Sequence, residues 1–203
     1  MITFYFIRHG ETTWNKSGRY QGTTDVPLSG LGHLQADLTA KWFENIPLDG
    51  VISSSLSRAS ETAEKIAKPH RLDVEKTDML QELCFGDWEG LTYDEIESKW
   101  PGMINDMYHH PELLRLPHGE SFGDLQKRTM AEMANIIHRG DDKSYAVVCH
   151  GAAIRAILCG LLNIPLERSW NFSVHNASVT CMIHYPGDRT ILSFHNFTGH
   201  LTE

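Results

Sequence analysis

Phe4-Tyr5-Phe6-Ile7-Arg8-His9-Gly10 and Ala146-Val147-Val148-Cys149-His150-Gly151 decide how this chain is read. Each is a short β-like run that ends in His-Gly. In a parallel sheet both histidines would emerge at the C-terminal edge, where ligands bind in open α/β folds. The glycine after each lets the backbone turn sharply and come close to a ligand. A lone histidine at a strand end is more often structural than catalytic; two such ends, each with His-Gly, point to a site.

Around these two runs the chain alternates β-like segments with amphipathic helical ones. That pattern predicts an α/β fold, a three-layer sandwich with a central, mostly parallel sheet flanked by helices. Ile2–Ile7 reads as the first strand. Ser29 opens a helix with apolar residues at Leu31, Leu34, Leu38, Trp42 and Phe43, a helical period. Gly50–Ser53 is a second strand, followed by a helix from about Ser57 to Ala67, and Leu72–Glu75 is a third strand. Thr92-Tyr93-Asp94-Glu95 is a capping box whose helix stops before Pro101. Ser121 caps a long helix with Phe122, Leu125, Met133, Ile136 and Ile137 on one side, and Gly140 ends it. Tyr145–Cys149 is a buried strand with the apolar helix Ala152–Leu162 behind it. Ser178–Tyr185 and Arg189–His195 form a hairpin turning at Pro186-Gly187-Asp188. No repeat or linker interrupts residues 1–203, so one domain is expected, with an excursion at about 78–120 covering the site.

The net charge of −8 argues against a nucleic-acid or anionic-membrane partner. It also repels a phosphate ester at long range, so a phosphate site must be a local cationic pocket. The 12 histidines show no HExxH or Cys/His ligand spacing, and His109-His110 sits in a Pro-flanked polar stretch, so no metal or other cofactor is expected. The four cysteines, Cys84, Cys149, Cys159 and Cys181, lack CxxC pairing and read as buried thiols in a reducing compartment. The apolar start lacks a basic flank and is too short to span a bilayer; cytoplasmic placement follows as an expectation.

Arginines sharpen the site. Arg8 precedes His9, and Arg58 lies by a helix N-terminus after the second strand, a place that favours anions. The guanidinium is a planar, always-charged fork suited to phosphate oxygens. Breaking a P–O bond to an alkyl leaving group calls for a general acid, and a carboxylic acid beside a phosphate can serve. Glu82 is the candidate, but residue chemistry alone does not choose it over Asp78, Asp87 or Glu89.

Arg8-His9-Gly10-Glu11-Thr12-Thr13-Trp14-Asn15 resembles the RHGE-x-x-WN signature of the histidine phosphatase superfamily, the phosphoglycerate mutase-like fold. The likeness continues through Gln21-Gly22-Thr23-Thr24-Asp25-Val26-Pro27-Leu28-Ser29, Ser54–Ala59, Glu82 with Phe85–Gly90, Gly119-Glu120-Ser121 and Val147–Gly151, in the family's order. The resemblance implies that His9 is the nucleophile and becomes phosphohistidine. It implies that Arg8, Arg58 and His150 grip the phosphoryl oxygens and that Glu82 is the proton donor. Asn15, and the backbone at Gln21, Gly22, Gly151 and Ala152, would line the substrate phosphate. Tyr20 and Cys149 depart from common family choices; alternation along the strand turns Cys149 away from His150's side.

The function expected is a histidine acid phosphatase-type phosphomonoesterase acting on a small phosphorylated metabolite, as a monomer or homodimer. Phe85-Gly86-Asp87-Trp88-Glu89-Gly90 and the short tail are similar to the phosphatase branch, including broad-specificity and alpha-ribazole phosphatases. The alternatives are a phosphoglycerate mutase-type isomerase and, from another class, a non-catalytic phosphate-ligand binding protein. Trp88, Tyr93, Trp100, Met103, Met107 and Tyr108 are expected mostly to pack the excursion, the alternative being an apolar wall for a bulky leaving group. His118 and Arg115 are candidates to reach a second anionic group.

Overall fold

In the computed structural model, which describes residues 1–202, alternation along β1 (Ile2–Arg8) sends successive side chains to two cores. Ile2, Phe4 and Phe6 enter one, and Ile7 enters the other. The chain then runs through α1 (Thr13–Lys16), α2 (Gly30–Phe43), β2 (Gly50–Ser54), α3 (Ser57–His70) and β3 (Val74–Thr77). The excursion follows, with α4 (Tyr93–Lys99) and α5 (Met103–His109). The last part returns through α6 (Phe122–Ile137), β4 (Lys143–Cys149), α7 (Gly151–Leu161), β5 (Val179–Tyr185) and β6 (Arg189–Phe197).

The six strands lie in the order β3-β2-β4-β1-β5-β6. The first four are parallel, and β5 and β6 pair antiparallel at one edge. The fold is the expected α/β sandwich. One core joins the sheet to α6, α7 and the excursion; the other joins it to α2 and α3. The late insertion of β4 between β1 and β2 places Arg8, Cys149 and Ser54 side by side at one end of the sheet. That edge carries the site. No helix of the described residues is long and apolar enough to cross a membrane.

Local signals hold where capping sets the boundary. Thr92 with Glu95 and Ser121 with Asp124 form capping boxes at the starts of α4 and α6. The third strand begins two residues later than expected, because Leu72 belongs to the end of α3, its N–H donating to the Ala67 carbonyl at 3.3 Å. That helix runs on through Pro69 to His70. The short helices α1 and α5 were not anticipated.

The helix after Ser29 forms, but it is rotated from the expected face. Gly32, Ala36, Thr39, Ala40 and Phe43 face inward, while Leu31 and Leu34 are 50% and 48% exposed. The reason is a backbone-on-backbone contact. A Cβ on Gly32 would lie 2.0 Å from the Glu11 carbonyl oxygen, and one on Gly10 would lie 2.4 Å from that of Gly32. Gly32 must therefore face the loop after His9, which turns the leucines outward.

Candidate active site

His9 leaves β1 with its backbone held on both sides. Its N–H donates to the Cys149 carbonyl at 3.1 Å, and its own carbonyl accepts from Ala177 N and the Asn176 amide. Its Nδ1 lies 2.7 Å from the Gly10 carbonyl oxygen. A carbonyl only accepts, so Nδ1 carries the proton and Nε2 keeps its lone pair. His150 lies beside it, with ring centroids 5.1 Å apart, and is fully buried. Its Nε2 is 2.8 Å from Ser54 Oγ, and its buried Nδ1 has no protein partner. Burial first, then the Arg58 charge, hold both imidazoles well below their ordinary pKa of 6.5.

Two buried guanidinium groups flank the pair. Arg58 is wholly buried and donates to the carbonyls of Thr24 at 2.9 Å and Gly22 at 2.7 Å. Burial pushes it down to about 10. Arg8 donates to the Val174 carbonyl at 2.8 Å, and burial lowers it too. The Nε of each is buried without a partner. Buried donors are normally paired, so these leftover N–H groups mark a place for a ligand acceptor.

Of the four acid candidates, only Glu82 lines the cleft. Its carboxylate accepts from Ala152 N at 3.1 Å, Ala153 N at 3.2 Å and Leu83 N at 2.9 Å, at the N-terminus of α7, where such donors favour an anion. Asp78 bonds Ser55 and Gln81, and Asp87 pairs with His118 at the surface. Glu89 is spent on the loop that holds Arg58. It accepts from the N–H groups of Thr23, Thr24 and Phe85 at 2.8–3.1 Å. Gly22 in that loop has φ +57°, and a Cβ there would fall 2.0 Å from Glu89 Oε1.

The cleft encloses about 250 Å³. It gathers Arg8, His9, Arg58 and Glu82 with Asn15, Gln21, Gly22, Gly151 and Ala152. The oxygens of both side-chain amides are engaged inward: Asn15 Oδ1 accepts from Thr12 and Asn176, and Gln21 Oε1 accepts from Thr12 Oγ1. Their NH₂ donors are left for the cleft. Cys149 turns into the opposite core, as alternation requires, and burial raises its thiol to about 12.

One expectation needs correction and one holds. His118 and Arg115 do not reach the cleft; they are 85% and 78% exposed and pair with Asp87 and Asp124. Of the excursion's large apolar residues, Trp88 and Met107 are core, Trp100 and Met103 pack against it, and Tyr93 is exposed. Phe85 lines the cleft, and Tyr108 lies against another lining residue, with its ring 4.9 Å from Trp170. Sequence reasoning missed Arg128 and Arg155. Arg128 pairs with Glu120 at 2.7 Å and donates to the carbonyls of Met79, Gln81 and Glu82, bracing the acid's segment. Arg155 lines the cleft one helical turn after Gly151, a spacing that was available as a signal.

A family model described as the histidine phosphatase superfamily (branch 1) matches residues 4–197. Phosphoserine phosphatase 1 of Hydrogenobacter thermophilus is 34% identical over 203 residues, which is 100% of this chain and 96% of that one. A probable phosphoglycerate mutase of Yersinia pestis is 32% identical over 180 residues, 89% of this chain and 84% of its own. The solved structure of a mycobacterial glucosyl-3-phosphoglycerate phosphatase superposes with a TM-score of 0.90 at 29% identity, over 97% of this chain and 99% of that one. With the two His-Gly strand ends inside a match that spans nearly the whole sequence, the chain belongs to the histidine phosphatase superfamily, branch 1.

Proposed function

We propose that the chain is a phosphomonoesterase that hydrolyses a small phosphorylated metabolite through a covalent phosphohistidine at His9 Nε2. The observation that carries this reading is the Nδ1–H of His9 held by the Gly10 carbonyl, with the free Nε2 of a neutral imidazole among fixed cations. In the first step Nε2 attacks phosphorus, the P–O bond to the alcohol breaks, and Glu82 gives its proton to the departing oxygen. The equatorial oxygens, over which charge spreads, meet the free donors of Arg8, Arg58 and His150. In the second step water attacks the phosphohistidine and returns its proton to Glu82. Phosphate leaves and His9 is regenerated.

In this reading Asn15 and Gln21 donate their amide N–H groups to the phosphate, beside the backbone at Gly22, Gly151 and Ala152. The type is that of a histidine acid phosphatase in its chemistry: a histidine nucleophile and a carboxylic acid donor. The chain works as one domain in the cytoplasm. The relatives that are named phosphatases support hydrolysis, and the one named a probable mutase supports isomerisation as a second reading. A single turnover quenched under alkaline denaturing conditions should trap label on the wild-type protein. Label that persists in His9→Ala would overturn the assignment. Release of phosphate from 3-phosphoglycerate supports the hydrolase; rapid interconversion with its isomer without release supports the mutase.

A further inference from the structure

Two cations that line the cleft have no task in the reaction above, Arg19 and Arg155, and of these Arg19 is paired with Glu95 at 3.3 Å. Arg155 lies in α7, a turn beyond Gly151, and its guanidinium faces the cleft. Its Nε donates to the Phe172 carbonyl at 2.9 Å, and its plane sits 4.5 Å from the centre of the Trp170 ring. These two contacts fix the fork and leave both terminal NH₂ groups without a protein acceptor. Among the described residues no acidic side chain pairs with it. Burial has pushed it down to about 10, so the charge is held in a place that disfavours it. A cation kept there without a direct ion pair, its donors open to a cleft, is suited to an anion brought by a ligand.

Its position says which part of a ligand. A Cβ on Gly151 would lie 3.2 Å from Arg155 Nη1, 3.7 Å from Glu82 Oε2 and 3.7 Å from Arg8 Nε. Arg155 therefore stands beside the proposed proton donor. Arg155 and Glu82 thus share one patch of the cleft at the start of α7. Trp170 and Tyr108 close that side with apolar surface. Glu82 is the proposed donor to the leaving oxygen, so a group beside it belongs to the alcohol half of the substrate, and an anion there meets the Arg155 charge.

We propose that Arg155 is a specificity residue that binds a second oxyanion, a carboxylate or a second phosphate, on the alcohol half of the substrate. The inference rests on the hydrolase reading and adds the substrate class to it: phosphate esters of acidic alcohols. Charge-assisted bonds of this kind discriminate by about 10- to 100-fold.

The test compares kcat/KM within two pairs of esters in wild type, Arg155→Met and Arg155→Lys. Phosphoserine against phosphoethanolamine varies the carboxylate; ethylene glycol bisphosphate against its monophosphate varies the second phosphate. Wild type should favour the anionic member of at least one pair by about 10-fold or more, and that pair identifies the oxyanion. Arg155→Met should bring the ratio close to one, and Arg155→Lys should keep part of it, since the charge stays and the fork is lost. The ratio is taken within each variant, so a general loss of folded enzyme cancels, and Arg155→Lys carries the test if the methionine variant does not fold. Ratios near one in wild type for both pairs, or a wild-type ratio that survives in Arg155→Met, would overturn the assignment. Release of phosphate from none of the four esters, with no label on His9, would instead sink the hydrolase reading and this one with it.

Discussion

His9 and His150 stand at the ends of neighbouring strands, whereas Glu82 and Arg155 reach the same cleft from a loop and a helix. The floor is set by backbone. Its pairing fixes where both imidazoles emerge, and the Cys149 carbonyl accepts the N–H of His9 itself. The wall is set by side chains. Glu82 is where it is because Arg128 grips three carbonyls around it and three N–H groups hold its carboxylate. A floor built this way tolerates little change. A wall held by a few long side chains can be retuned one residue at a time, which suits the half of the site that meets the variable part of a substrate.

Removing the acid tests that division most severely. Glu82→Gln keeps the shape but has no proton to give, so single-turnover phosphorylation of His9 by an alkyl phosphate should fall about 10²–10⁴-fold. A nitrophenyl ester leaves as a fairly stable anion and should lose far less. Equal losses for the two esters would make Glu82 a charge-stabilising or positioning group. Arg128→Met sharpens the point, because Arg128 does not line the cleft and touches only the backbone of Glu82. A displaced acid should lower alkyl-ester turnover by about 10- to 100-fold, again with the smaller loss on the nitrophenyl ester. A uniform loss would mean that the brace serves only the fold.

The floor has a pH signature. Below 6.5 the unfolded chain takes up protons on His9 and His150 that the folded chain refuses, since both imidazoles are held well below that value. Stability present above 6.5 should therefore drain away as pH falls toward the depressed folded values, as a denaturant midpoint measured against pH would show. His9 should also remain an unprotonated nucleophile below pH 6.5, and Arg58→Gln should move the acid limb of kcat/KM upward. An unmoved limb would assign the depression to burial alone. The smallest effect belongs to neither region: Leu34→Glu, on the exposed face of α2, should change stability by about 0.5 kcal/mol or less. A larger loss would show that this face is covered in solution.

The same division explains what was legible in the residues themselves. Apolar runs ending in His-Gly give strands and their exit points, and capping boxes give helix starts, because these depend on neighbours in sequence. The inward face of α2 was not legible, because hydrophobic period points to Leu31 and Leu34 while the packing is decided by Gly32 against Glu11. The choice of Glu82 over Glu89 was not legible from chemistry alone either. It depends on Ala152 and Ala153, about 70 residues away, donating to one carboxylate and not to the other. Arg155 carries one sign in sequence, its spacing one turn after Gly151, but nothing there shows that its terminal donors are left without an ion pair.

The place of β4 between β1 and β2 has a consequence in time. His9 is made almost at once, but the strand that brings His150 beside it comes 141 residues later. At ordinary elongation rates that is a wait on the order of ten seconds. Until then the growing chain holds the future nucleophile at the end of a strand neither of whose neighbours, β4 or β5, has been made. Ribosome-bound chains that stop short of β4 should neither label nor hydrolyse, so synthesis itself delays reactivity until nearly three quarters of the chain exists.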